Sequence, residues 1–301
     1  MPKLFGTEVD IKAIDILNEK EYYGEESKEI ECVKAWEDHA GNFFPIYSVV
    51  SSLEPGFYTA NMNMSGPYVS QKEFIVDDIV KLPDAKSEKI IAEADKFWEL
   101  KETFVEMGFI HKRGILLYGD PGSGKSQCVY EVGMNIISKK GLVLYISNPY
   151  AGLACLNVIR ARHPEMKVLV VIEDIDDIVN IYGDKLLTSI LDGENRFSHV
   201  LFLATTNYPE RLPVRLVNRP SRFDVVEEMD FPSYEARKVF LAAKAPSLTE
   251  EQLETWGNKT EGFSIPMLKE LLISVLGYMR PLDASIERIN KLMKSFSGSL
   301  F

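Results

Sequence analysis

Gly119-Asp120-Pro121-Gly122-Ser123-Gly124-Lys125-Ser126 fills every position of the pattern Gly-x-x-x-x-Gly-Lys-Ser/Thr. The apolar run Gly114-Ile115-Leu116-Leu117-Tyr118 leads into it as a buried strand, and residues 127–137 continue with helical character. Gly122 and Gly124 let the backbone curl so that successive N–H groups point inward, and the N-terminus of the next helix adds its dipole. The stretch therefore predicts an anion cradle for the phosphates of a nucleotide. Lys125 reaches the terminal phosphates as a point charge and the Ser126 hydroxyl ligates Mg²⁺. Asp120, Pro121, Gly122, Ser123, Gly124, Lys125, Ser126 and Gln127 are the expected contacts of the nucleotide.

Downstream, strands and helices alternate. Residues 141–146 form a short apolar strand, 154–162 a helical stretch, and Val168-Leu169-Val170-Val171-Ile172 a β-branched run buried on both faces of a parallel sheet. That run ends in Glu173-Asp174-Ile175-Asp176-Asp177. Carboxylates at the carboxyl end of a core strand lie beside a phosphate loop, where a metal ion and an attacking water must be held. A helical segment over 184–191 precedes a strand over 200–204, which ends in Thr205-Thr206-Asn207; a polar amide there can touch the γ-phosphate and the water. A fifth strand is expected over 225–229.

These segments predict an α/β fold: a P-loop, doubly wound, parallel five-stranded sheet over 75–232. From Ser233 to the end the chain reads as helices over 234–243, 250–256, 265–278 and 282–296, a small helical lid over 233–301. Residues 1–74 differ in character from the rest of the chain. They are Glu-rich between Glu19 and Glu31, then rich in aromatics and turn formers, and suggest a small α+β or β-rich N-terminal domain that docks a partner or extends the core. Ile90, Ile91, Ala94, Phe97, Trp98, Leu100, Phe104 and Val105 recur as on one amphipathic helix before the first core strand.

With 34 Lys and Arg against 45 Asp and Glu, the net charge of −11 disfavours a surface that wraps duplex nucleic acid. Three cysteines, Cys32, Cys128 and Cys155, suggest neither a disulfide framework nor a zinc site and fit a reducing cytoplasm. The start of the chain lacks the regions of a signal peptide, and no apolar run approaches the length of a membrane span.

Taken together, residues 75–280 resemble the AAA branch of the AAA+ ATPases. Asp77-Asp78-Ile79 is similar to the family's entry segment, which places Asp78 and Ile79 beside the adenine. The phosphate loop is the Walker A motif, residues 172–176 resemble Walker B, and Asn207 takes the sensor-1 position. Arg219-Pro220-Ser221-Arg222-Phe223-Asp224 resembles the second region of homology, which implies that Arg219 and Arg222 are arginine fingers acting on a neighbouring subunit's nucleotide. Gly262-Phe263-Ser264 resembles the opening of the lid helix, but Ile265-Pro266-Met267 replaces the usual Gly-Ala-Asp. Walker B usually runs Asp then Glu, whereas here Glu173 precedes Asp174, an order shared with the branch that includes the mitochondrial Rieske-protein translocation chaperone. On this alignment Ser126, Glu173 and Asp174 form the metal set, with Asp174 also the catalytic carboxylate; an alternative register gives Asp174 the metal and Asp176 the base.

The resemblance implies ATP and Mg²⁺ as cofactors, hydrolysis of ATP, and a homo-oligomeric ring of six or seven subunits. Tyr150-Ala151-Gly152 resembles the aromatic-hydrophobic-glycine pore loop that grips an extended polypeptide, which implies a motor that remodels, unfolds or disassembles a protein client; Asn148-Pro149-Tyr150 is equally a turn sequence. Two other readings stay open: a nucleic-acid-associated ATPase such as a loader, and an assembly scaffold timed by hydrolysis.

Overall fold

In the computed structural model, residues 35–39, 42–46, 50, 52–74, 80, 82–83, 85–192, 197–217 and 221–297 are described. The chain divides into two units, Met1–Leu53 and Glu54–Phe301. In the first, β1 (Ala35–His39) and β2 (Asn42–Ile46) pair antiparallel, with Ala35 opposite Ile46 and His39 opposite Asn42.

The second unit opens with the hairpin β3 (Gly56–Asn63) and β4 (Gly66–Gln71). Helices α1 (Ala85–Glu99) and α2 (Lys101–Glu106) lead to β5 (Lys112–Tyr118). Then alternate α3 (Lys125–Ser138), β6 (Leu142–Tyr145), α4 (Pro149–Arg162) and β7 (Val168–Ile172). Two short helices, α5 (Ile175–Tyr182) and α6 (Lys185–Asp192), precede β8 (Val200–Thr206). One turn, α7 (Val214–Val217), leads to β9 (Val225–Glu228). The lid comprises α8 (Tyr234–Lys244), α9 (Glu250–Lys259), α10 (Ile265–Leu272), a π-helical turn at Ile273–Gly277, and α11 (Leu282–Ser297).

Strand order is β4-β3-β6-β7-β8-β5-β9. The expected five parallel strands, β6-β7-β8-β5-β9, lie side by side, and β3 adds parallel to the outer side of β6 with Gly56 opposite Leu142. β4 closes that edge antiparallel. This corrects the expectation that residues 1–74 form one accessory module. The chain divides after Leu53 instead, because Phe57, Tyr58 and Ala60 are buried on the main sheet.

Side chains of successive residues leave a strand on opposite faces, and both faces here are covered. Ile115 and Leu117 of β5, Leu169 and Val171 of β7, and Leu201 and Leu203 of β8 pack with Ile90, Ala94 and Phe97 of α1 and with Val129, Val132 and Ile136 of α3. The alternate residues, among them Leu116, Val168, Val170 and Phe202, are equally buried. The expected stripe on α1 holds through Trp98. It then fails, because the helix stops before Leu100 and Val105 of α2 is exposed. The lid has its own core, built on Phe240, Trp256, Phe263, Leu268 and Leu271.

Two histidines meet at the amino ends of β5 and β8, the end of the sheet away from the phosphate loop. His111 and His199 are both buried, with their Nδ1 atoms 2.9 Å apart. His111 Nε2 lies 2.8 Å from the Phe97 carbonyl, which can only accept. His111 therefore carries its proton on Nε2, and His199 Nδ1 donates to His111 Nδ1. Burial, His111, Lys101 and Arg160 all push the His199 pKa down, opposed by Glu165, to about 4. Burial likewise lowers His111. A histidine with a depressed folded pKa binds fewer protons than in the unfolded chain, so stability falls as pH drops from about 6.5, its unfolded value, toward 4. Urea titrations from pH 7 to 4 should show that loss, with a slope of at most about 1.4 kcal/mol per pH unit from this group. His199→Gln should flatten the slope, and an unchanged profile would remove the pair from the cause.

Candidate nucleotide-hydrolysis site

The phosphate loop joins the carboxyl end of β5 to the start of α3. Gly122 and Gly124 have φ of +83° and +95°, a region that side chains with a Cβ rarely occupy. Gly124 is also the residue before the first turn of α3, so free N–H groups at that helix start face the cavity in front of the loop. At Gly122 a Cβ would lie 2.8 Å from the Cβ of Ser264, because the lid helix α10 starts directly above the loop. Lys125 is buried, and its Nζ donates to the carbonyls of Gly119 at 2.7 Å and Asp120 at 2.9 Å. Burial lowers its pKa, while Asp174, Asp120 and Asp176 favour the charged form.

A cavity of about 650 Å³ lies in front of this loop, a volume within the range of small-ligand sites. Pro121, Gly122, Ser123, Gly124, Lys125, Ser126 and Gln127 line one end. Asp120 does not line it and contributes its carbonyl to Lys125. Asp174, Thr205 and Asn207 complete the polar wall. Val80, Leu82, Met229, Phe240, Ile265 and Pro266 form an apolar wall suited to a planar base. Asp78 and Ile79 lie outside the described residues. The lid residues that depart from Gly-Ala-Asp thus still reach the pocket, with Pro266 supplying apolar surface. Lysine, loop amides and hydroxyl at one end and apolar surface at the other fit ATP, with Ser126 and the acidic strand end to hold Mg²⁺.

The acidic strand end is sorted by geometry. Asp174 has φ +47° and ψ +54°, a left-handed conformation that turns the chain from β7 into α5 and puts its carboxylate in the pocket. Its N–H donates to Thr205 Oγ1 at 3.2 Å, and Asn207 Nδ2 donates to its Oδ1 at 3.3 Å. Burial, then Asp176 and Asp177, raise its pKa, with Lys125 opposing them. Asp176 is buried and accepts from Thr206 Oγ1 at 2.6 Å. Glu173 does not line the cavity; its charge acts on Lys72 and Tyr145, where the Lys72 ammonium stands 3.5 Å over the Tyr145 ring. Thr205 thus holds the Asp174 backbone and Thr206 the Asp176 carboxylate, roles that motif spacing alone does not assign to them. The signal that could have found them is two hydroxyls in a row at a strand end.

Arg222 is not the exposed finger that the resemblance implies. It is 5% exposed, and its Nε and one terminal nitrogen hold both oxygens of Asp192 at 2.6 Å, while another nitrogen bonds the Arg215 carbonyl. Arg215 in turn pairs with Asp184. The backbone there is pressed against β5: a Cβ on Gly114 would fall 1.8 Å from the Arg222 carbonyl oxygen. No local pattern points to the partner, which lies 30 residues away. Arg219 lies outside the described residues.

The expected pore loop also differs. Tyr150, Ala151 and Gly152 form the first turn of α4, capped by Asn148 Oδ1, which accepts from Tyr150 N at 2.9 Å, with Pro149 at the first helical position. Ala151 is buried, and a Cβ on Gly152 would meet Ile146 at 2.5 Å. Only Tyr150 is exposed, and its ring stands edge-on to Tyr182, with centroids 6.4 Å apart.

A parallel run of strands with a phosphate loop after β5, an amide at the end of the neighbouring β8 and a carboxylate at the end of β7 beyond it defines a P-loop nucleotide hydrolase. Residues 115–231 match the family model described as ATPase family associated with various cellular activities (AAA). The chain is 26% identical over 220 residues to the ATP-dependent zinc metalloprotease FtsH of Marinobacter nauticus, covering 65% of this chain and 34% of that protein. It is 29% identical over 181 residues to the ATPase family gene 2 protein of Schizosaccharomyces pombe, covering 54% of this chain and 22% of that protein. Over 162 residues it is 29% identical to the human ATPase family gene 2 protein homolog A, covering 47% of this chain and 18% of that protein. The chain spans about a third or less of the length of these relatives. Residues 115–231 thus carry an AAA ATPase domain, a domain that binds ATP with Mg²⁺ and hydrolyses it. AAA ATPases typically assemble as oligomeric rings. Among the described residues no helix is long and apolar enough to cross a membrane.

A raised folded pKa means that Asp174 lowers stability once pH exceeds the ordinary aspartate range. Asp174→Asn should therefore raise the midpoint of thermal unfolding at pH 7, with the gain fading as pH falls to about 4; a gain that is constant with pH would contradict the assignment. Arg222→Ala removes the two-pronged contact with Asp192 and the bond to the Arg215 carbonyl and should cost about 3–5 kcal/mol in denaturant titrations. Unchanged stability would restore Arg222 as a free finger.

Proposed function

We propose that this protein is a ring-forming motor that couples Mg-ATP hydrolysis to remodelling, unfolding or disassembly of a protein client. The observation that carries the reading is the exposed tyrosine pair. Tyr150 at the start of α4 and Tyr182 at the end of α5 border a second cavity of about 450 Å³, with Gly183, Asp184, Lys185, Leu186 and Ser189. Two aromatic faces beside a polar recess can hold side chains of an extended polypeptide with little regard to sequence. Both rings stand on helix ends, and Asp184 beside them is pinned by Arg215. Force on the rings would therefore reach the segment that carries Arg222.

Within the AAA ATPases we read the order Glu173-Asp174 as favouring the branch that includes the mitochondrial Rieske-protein translocation chaperone. We assign Asp174 and Asn207 to the reacting end of the nucleotide and Asp176 to holding the strand ends. Ser126 and Asp174, which line the cavity, are the residues we assign to Mg²⁺, and Glu173, which does not line it, is left outside the metal set. Arg219 is the finger offered to a neighbouring subunit in a ring of six, or seven, identical chains. The reading places the ring in the cytoplasm, where Mg-ATP is supplied and Cys128 and Cys155 stay as free thiols.

The deciding measurement is ATPase rate against protein concentration, with mass read on the same samples, alone and with an unfolded protein or single-stranded DNA. Activity should rise as rings form and rise further with the polypeptide. Tyr150→Ala and Tyr182→Ala should each abolish that further rise. Stimulation by DNA alone would replace the protein client with a nucleic acid, and a rate independent of assembly would remove the finger in trans.

A further inference from the structure

Beyond the phosphate loop, α3 carries a polar pair that phosphate chemistry does not use. Gln127 and Glu131 sit one turn apart on one face of the helix, both half-buried and both lining the nucleotide cavity. Gln127 Nε2 donates to Glu131 Oε1 at 2.8 Å, which orients the carboxylate. Among the described residues Glu131 forms no ion pair. The nearby cation of the cavity, Lys86, is committed to the Asp230 carboxylate and the Glu228 carbonyl. A half-buried carboxylate steadied on one oxygen and facing a cavity calls for donors from whatever fills that cavity.

The order of groups along the pocket says which donors these are. Ser126 marks the phosphate end, Gln127 is the next residue, and Glu131 lies about 6 Å further along the helix axis. Apolar lining available to a planar base comes from Val80, Leu82, Met229, Phe240, Ile265 and Pro266, none of them on α3. The part of a nucleotide between its phosphates and its base is the sugar, and a carboxylate accepting from ribose hydroxyls is a chemistry used in other nucleotide folds.

We propose that Glu131, oriented by Gln127, accepts hydrogen bonds from the sugar hydroxyls of the bound nucleotide and makes the site select ribonucleotides over nucleotides that lack those hydroxyls. Gln127 is a positioning residue in this arrangement, because its amide fixes the carboxylate.

Calorimetric binding of ADP, 2′,3′-dideoxyADP and IDP to the full chain with Mg²⁺ tests this without turnover. The unaltered protein should bind ADP about tenfold more tightly than dideoxyADP, as one charge-assisted hydrogen bond gives. Glu131→Ala should bind dideoxyADP as the unaltered protein does and ADP no better, with the ratio of ADP to IDP unchanged. Gln127→Ala should lose part of the preference. Equal affinities for ADP and dideoxyADP in the unaltered protein overturn the proposal. So does an equal loss for both in Glu131→Ala, which marks a structural role, or an altered ADP to IDP ratio, which marks a contact with the base. Should Glu131→Ala fail to fold, Glu131→Gln keeps the volume and drops the charge; full sugar preference in that variant overturns the proposal as well.

Discussion

The parallel pairing of β5 with β8 is the constraint on which the site depends. Tyr118 stands opposite Thr206, so the loop after β5 and the Thr205-Thr206-Asn207 end of β8 arrive at the same height on the sheet edge. β7 pairs on the far side of β8, with Ile172 opposite Ala204, and delivers Asp174 within reach of Thr205 and Asn207. A slip of one residue in either ladder would turn buried Leu201 and Leu203 outward and move the carboxylate away from Lys125. Site geometry and core burial are thus one requirement.

The two ends of the same strands do opposite electrostatic work. At the carboxyl end, burial weakens the hold of Lys125 on its proton and of Asp174 on its charge, and each favours the charged form of the other. Charges there are kept for a ligand that brings negative oxygens and a metal. At the amino end, His111 and His199 are buried as a neutral pair, and no ligand compensates them. The desolvation that makes one end reactive makes the other a source of acid sensitivity.

What was legible in the chain was what short-range chemistry decides. Glycines and a lysine at given spacing declare the loop, because the backbone must turn where Gly122 and Gly124 stand. Apolar runs declare the strands, because both faces are covered. Tyr150-Ala151-Gly152 misled for a local reason that was also present: Asn148-Pro149 is a helix start, and it outweighed the glycine. The burial of Arg222 could not be read, because it depends on Asp192 from another helix and on a carbonyl of α7. The place of β3 and β4 on the sheet was hidden similarly, since a hairpin does not announce which edge it will join.

The lid completes the site through contact rather than through charge. Gly122 lies so close to Ser264 that any residue with a Cβ would push α10 off the loop. Ser264 is also the cap of that helix, accepting from Met267 N, and Ile265 and Pro266 beside it form part of the apolar wall. A change in the loop's curvature as phosphates bind or leave therefore bears directly on the start of α10. Because α10 is packed into the lid core through Leu268 and Leu271, the lid receives that displacement as a body.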